Sequence, residues 1–176
     1  MDIQVEINDR EVRDLLTRLR DRAQDLTPAM QAIGAFYERS VVENFKAQTA
    51  PDGTPWTPLA EVTLHLGLAR HKGWKKDGYL SAKGKRYLTG KRILWERGDL
   101  EGSVHSQAGK TSVAIGTGGH IPYAAIHQFG GKAGRGKKVT IPARPYLALN
   151  RGTEMDLAEK DRTMVINVIR ARLLDL

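Results

Sequence analysis

Leu100-Glu101-Gly102-Ser103-Val104-His105-Ser106-Gln107 and Thr111-Ser112-Val113-Ala114-Ile115-Gly116-Thr117 flank the tripeptide Ala108-Gly109-Lys110. Val104, Val113 and Ile115 alternate with polar or small neighbours across a glycine-containing turn, so the two runs read as a β-hairpin. This hairpin decides the class, because helical periodicity surrounds it. Upstream, Val12, Leu15, Leu16, Leu19, Ala23 and Leu26 form an apolar stripe, with Asn8 and Glu11 in capping-box positions. Thr27 as N-cap and Pro28 at the first helical position start a second helix, whose buried face is Met30, Ile33, Tyr37, Val41 and Phe45. The two helices are expected to pack as a pair. Ile3, Val5 and Ile7 alternate like a strand, and a last helix is expected from near Thr153, burying Leu157, Met164, Val165, Val168, Ile169 and Leu173.

The connections carry their own signals. Three prolines keep Ala50–Leu59 out of any helix, and Trp56, framed by two of them, is expected to pin this loop to the body. A short helix fits Glu61–Arg70. Residues 71–92 show little periodicity and read as a long loop or arm. Tyr123–Phe129 is a short turn or helix closed by Gly130-Gly131, followed by a glycine-rich flexible loop to Gly136. Lys138–Ile141 is a strand stopped by Pro142-Ala143-Arg144-Pro145. The expectation is one α+β domain over residues 1–176. An N-terminal helix pair packs on a small, mainly antiparallel sheet, with a C-terminal helix and a basic loop at about 71–92.

At 176 residues the chain is long enough for a self-sufficient core. It has no cysteine, which removes disulfides, thiolate metal sites and a thiol nucleophile. No apolar run approaches a membrane span, and the acidic first ten residues do not resemble a secretory signal, so no membrane association is expected and assembly in a host cytoplasm fits. The net charge of +8 is unevenly placed. Arg70–Arg92 holds nine cations against Asp77 alone, and Lys132–Arg144 holds five cations and no acid. Lys72, Lys75, Lys76, Lys83, Lys85, Arg86, Lys91, Arg92, Lys132, Arg135, Lys137 and Lys138 are therefore the candidates for contacting DNA or an acidic neighbour. Trp74, Tyr79 and Tyr87 lie among them, and cations interleaved with aromatics suit phosphates with stackable bases. A solvated loop is the plainer alternative.

Catalytic constellations fail on inspection. Gly131–Lys137 nearly matches a phosphate-binding loop, but Lys138 stands where Ser or Thr is needed and no helix is expected to follow. The five histidines form no metal-ligand spacing; Glu61 and His65 supply two ligands at most. Between Gly102 and Met155 the only acid is Glu154, so the β region lacks general acids and bases. No catalytic residue, metal or cofactor is expected.

Several segments occur together in order: Gly53-Thr54-Pro55-Trp56-Thr57-Pro58-Leu59, Gly98–Val104, Ile115-Gly116-Thr117, Tyr123-Ala124-Ala125-Ile126-His127-Gln128-Phe129-Gly130-Gly131, and Ile141-Pro142-Ala143-Arg144-Pro145-Tyr146-Leu147. In this combination, over roughly residues 10 to 175, the chain resembles the bacteriophage virion morphogenesis family, the tail completion proteins of long-tailed phages. The 71–92 segment departs from that pattern in length and charge. The resemblance implies a structural, non-enzymatic virion protein at the head–tail junction. It implies assembly as a homo-oligomeric, hexameric ring contacting neck, connector and tail proteins; in such a ring the basic segments would meet either neighbouring subunits or DNA in the lumen. A tail terminator and a non-virion nucleic-acid-binding protein are the alternatives. Trp56, Pro58, Tyr123, His127, Gln128, Phe129, Arg144 and Tyr146 are then candidate family-motif or subunit-interface residues. The competing assignment is internal: Phe129 in the core, Gln128 on a backbone carbonyl, Arg144 on a carboxylate.

Overall fold

The computed structural model describes residues 9–151, 154–156 and 159–174. The expected strand at Ile3–Ile7, the Asn8 cap, Thr153 and Leu157 lie outside them. The fold is α+β, with N-terminal helices, small antiparallel sheets and a C-terminal helix. Two compact units divide the chain: residues 9–37, 106–115 and 159–174 in the first, and 38–105, 116–151 and 154–156 in the second.

The first unit contains α1 (Arg10–Gln24), the opening turns of α2 (Thr27–Ala47) and α7 (Glu159–Leu174). The helical bonding of α2 begins one residue earlier than expected: Met30 N donates to the Leu26 carbonyl, and the Asp25 carboxylate, not a Thr27 cap, takes the Thr27 amide. Ala29, Met30, Ile33 and Tyr37 are buried, as the stripe predicts. The chief partner of α1 is α7, where Arg22 donates to the Leu173 carbonyl at 3.0 Å. The stripe on α1 is not a buried face: Val12, Leu15 and Leu16 are exposed. Periodicity marks an apolar side without supplying a cover for it. Burial, and then the Asp161 charge, push the Tyr37 hydroxyl up to about 12.

The last helix also starts later than expected. Its supposed first turn is half of a hairpin, β5 (Leu149–Arg151) against β6 (Glu154–Asp156), with Asn150 opposite Met155.

The second unit is built on the C-terminal half of α2. Val41 and Phe45 join Ala50, Trp56, Leu100, Ile121, Ala124 and Tyr146 in one core cluster. Phe45 is completely buried and meets Trp56 edge-on, with ring centroids 5.3 Å apart. Helix α3 occupies Glu61–Arg70, as expected, and α5 (Asp99–Gly102) takes the start of the expected hairpin. The strands themselves, β1 (Val104–Ala108) and β2 (Val113–Thr117), pair with each other. Helix α6 (Ala124–Phe129) follows. The glycine-rich stretch is largely ordered: β3 (Gly131–Ala133) pairs with β4 (Val139–Ile141), leaving a 3-10 turn at Arg135–Lys137 as the hairpin tip. Since a strand follows this turn, the phosphate-loop geometry is absent.

The 71–92 stretch is not simply a loop. Ser81 caps α4 (Ala82–Gly90) by accepting the Gly84 amide at 3.1 Å. The chain reaches that cap through a tight turn in which Trp74 bridges to Leu80 and Lys75 N donates to the Tyr79 carbonyl. Charge hides this helix from periodicity: its contact with the preceding segment is made by glycines, not by an apolar stripe. A Cβ on Gly84 would collide with the Gly73 backbone, whereas one on Gly90 would meet nothing within 4 Å. Gly84→Ala is therefore expected to destabilise by about 1–3 kcal/mol, and Gly90→Ala to be neutral or slightly stabilising. Denaturant unfolding of the two variants measures the difference.

Candidate functional site

The motif residues of the second unit converge on the segment 142–147. Pro142 and Pro145 keep it extended and remove two donors, so no strand ladder runs along it. Its buried polar groups are bonded instead by side chains. The Gln128 side chain, 4 % exposed, does most of this. Its Oε1 accepts the amides of Tyr146 (3.0 Å) and Leu147 (3.1 Å), and its Nε2 donates to the Leu147 carbonyl (2.9 Å). One amide thus replaces a neighbouring strand. Asn44 Nδ2 donates to the Tyr146 carbonyl, and Trp56 Nε1 to the Pro145 carbonyl at 2.7 Å.

Arg144 works outward from the same segment. Its backbone amide donates to the His127 carbonyl, 2.7 Å away. Its side chain donates from Nε to the Thr57 carbonyl (2.7 Å) and from a terminal nitrogen to the Pro58 carbonyl (2.9 Å). The expected carboxylate partner is not there; two backbone carbonyls take its place. Burial without a counter-charge lowers the guanidinium's proton affinity. The Trp56–Pro58 loop is consequently fastened at both the indole and the guanidinium. Tyr146 is 1 % exposed; its hydroxyl donates to the Ala124 carbonyl, and burial raises its pKa.

Two motif aromatics do not join this lock. Tyr123 is exposed and Phe129 is 70 % exposed, so the expected internal place for Phe129 is not occupied. Pro58 is also exposed. His127 is half-buried, edge-on to Tyr123 at 5.8 Å, and its Nδ1 has no hydrogen-bond partner among the described residues. It borders a cleft of about 360 Å³ that Leu59, Leu94, Trp95, Tyr123 and Arg144 also line. Among the described residues no hydroxyl or carboxylate is hydrogen-bonded to His127 Nδ1. Among the described residues no group of three or more potential metal ligands occurs, and no helix is long and apolar enough to cross a membrane.

The basic candidates divide sharply. Lys72, Lys75, Lys76, Lys83, Lys85 and Arg86 are exposed, as are Lys132, Arg135, Lys137 and Lys138 around the β3–β4 tip. Lys91 and Arg92 are not free. Lys91 pairs with Glu96, which its hydrogen bond holds below the usual carboxylate range, and Arg92 lies 4.0 Å from the centre of the Trp95 ring. Gln48 and Asn44 were not among the candidates. Gln48, at φ +57 after α2, accepts the Trp56 amide on its backbone carbonyl and the Ile93 amide on its side-chain Oε1. A polar Asn44 between Val41 and Phe45 on a buried stripe is the signal that a partnered amide belongs there.

The phage virion morphogenesis family model matches residues 7–174. The chain belongs to this family. It is 33% identical over 158 residues to the Mu-like prophage FluMu G protein 2 of Haemophilus influenzae, covering 89% of this chain and 91% of that protein. It is 28% identical over 177 residues to the putative capsid assembly protein G of Escherichia phage Mu, covering 97% and 98% respectively. No solved structure matches the chain. Membership in the virion morphogenesis family gives the chain a role in phage structure or assembly, among other virion proteins.

Replacing Arg144 by Lys is expected to cost about 1–3 kcal/mol, because an ammonium cannot reproduce the two-pronged contact; chemical unfolding measures it. The His127 imidazole is held below its usual 6.5, first by burial and then by the Arg144 charge. The unfolded chain therefore takes up that proton more readily. The stability this group contributes is present above pH 6.5 and is lost as pH falls below it. His127→Gln should remove this component from the pH dependence of unfolding.

Proposed function

We propose that the chain is a structural virion protein that completes the tail at its head-proximal end and joins it to the head. In this role it assembles as a homo-oligomeric ring in the neck, contacts the connector and tail layers beside it, and performs no catalysis. The observation that carries this reading is the division within α6. Gln128 locks that helix to the body, while Tyr123 just before it and Phe129 at its end are held in the open. Aromatic side chains on a rigid support are typical of the energetic centres of protein interfaces. An exposed aromatic beside a fully bonded motif fits a surface that a neighbouring subunit covers.

A second reading is an assembly factor that leaves before the particle is finished. The description of the phage Mu relative as a putative capsid assembly protein favours it.

Phe129→Asp tests the first reading. The variant should fold with a stability within about 0.5 kcal/mol of the parent, since it alters an exposed site. Phage carrying it should accumulate heads and tails that fail to join. Mass spectrometry of purified wild-type particles should find the protein, and immunogold labelling should place it at the neck. Normal infectivity of the variant would contradict the interface role of Phe129. A protein that is needed for assembly but missing from finished particles would establish the second reading instead.

A further inference from the structure

We propose that the module running from the end of α3 through α4 is a contact surface for the phosphate backbone of duplex DNA. The inference rests on the neck reading for where such DNA would lie, but not for the binding itself.

Seven cations of this module are exposed: Arg70, Lys72, Lys75, Lys76, Lys83, Lys85 and Arg86. None forms an ion pair among the described residues. The single acid among them, Asp77, turns its carboxylate onto the Tyr79 amide at 3.1 Å. The cations are not carried on a floppy arm. Gly73 N donates to the Leu68 carbonyl (2.7 Å), Ser81 N to the Gly73 carbonyl (2.8 Å), and Lys75 N to the Tyr79 carbonyl (2.8 Å). Gly73 and Gly84 pack backbone to backbone. Unpaired positive charge is thereby held on a folded support, where neutralising it costs little further ordering.

The same geometry selects the partner. Two of the three interleaved aromatics are already engaged internally. Trp74 stacks on His65, with centroids 5.7 Å apart and planes 12° from parallel, and Tyr87 stacks on His71 at 4.9 Å. They build the module and do not offer a row of platforms for unstacked bases, so the single-strand mode suggested by cations and aromatics together loses its second component. Between residues 70 and 86 the only large apolar side chains exposed are Trp74 and Tyr79. Seven exposed cations outnumber these two rings, one of which is already stacked on His65, so charge dominates this surface. What remains is dispersed charge suited to phosphates, which positions a duplex without reading its sequence.

The test is fluorescence anisotropy of the full-length chain with labelled duplexes of two unrelated sequences, titrated across salt concentration. Both duplexes should bind alike, with affinity falling by about 0.9 log units per log unit of salt for each phosphate neutralised. Two triple variants, Lys72→Gln/Lys75→Gln/Lys76→Gln and Lys83→Gln/Lys85→Gln/Arg86→Gln, should each flatten the slope by up to about 3. Lys46→Gln, on α2, should keep the parent slope; circular dichroism confirms that each variant is folded. Absence of binding at low salt, a parent-like slope in both triple variants, or tighter binding to poly-glutamate than to duplex would overturn the proposal. Tighter binding to single-stranded DNA that is lost in Tyr79→Ala would also overturn it, in favour of base stacking. A chain that binds duplex as expected yet is missing from finished particles would keep this inference and remove the neck reading. A neck protein that binds no DNA would do the reverse.

Discussion

An extended, proline-bounded segment buried without a strand beside it has to find other partners for its backbone. Residues 142–147 face that constraint, and the second unit is arranged around its solution. An unbonded buried amide or carbonyl costs on the order of 1–3 kcal/mol. Gln128 bonds two amides and a carbonyl, Asn44 and Trp56 each take one carbonyl, and Arg144 gives its amide to α6. These partners come from three separate stretches of chain, with Gln128 and the His127 carbonyl both on α6. The requirements of one short segment therefore tie α2, the Trp56 loop and α6 together, with Phe45 and Tyr146 packed at the centre. Arg144 extends the arrangement by holding Thr57 and Pro58.

This arrangement determines what the motif residues bond to. The polar atoms of Gln128, Trp56 and the Arg144 guanidinium are directed at backbone groups, and burial, then the Arg144 charge, lowers the proton affinity of His127. The side chains left outside, Phe129 and Tyr123, are apolar or amphipathic and available to a neighbour. The same division separates the cations. Lys91 and Arg92 stabilise their own loop through Glu96 and Trp95, while those on α4 and on the β3–β4 tip face solvent. Bonded interior side chains and exposed aromatic or basic ones thus lie within a few residues of each other.

Much of this was legible where the physics is local. The stripe from Met30 to Phe45 is buried, the prolines keep Ala50–Leu59 irregular, and α3 runs over the expected Glu61–Arg70. What failed was whatever depends on a partner remote in sequence. The α1 stripe is present but exposed, because periodicity does not say what lies opposite. Helix α4 was hidden by its lysines, since two glycines, not apolar residues, make its close contact. Trp56 was correctly expected to pin its loop. The internal assignment put Gln128 on a backbone carbonyl, and Leu147 supplies it; the two amides that Gln128 also takes and the carbonyls held by Arg144 had no signal, because backbone partners leave no trace in residue type. Asn44 alone carried one, as a polar residue on an apolar face.

Amide hydrogen exchange on the native full-length chain tests the central claim most directly. If the Gln128 and His127 contacts replace a missing strand, the amides of Arg144, Tyr146 and Leu147 should be protected as strongly as those of Val41 and Phe45 in α2. Exchange of these three amides at the rate of the exposed turn 75–79 would mean that the segment is not fastened, and the account of the motif as an internal lock would fail.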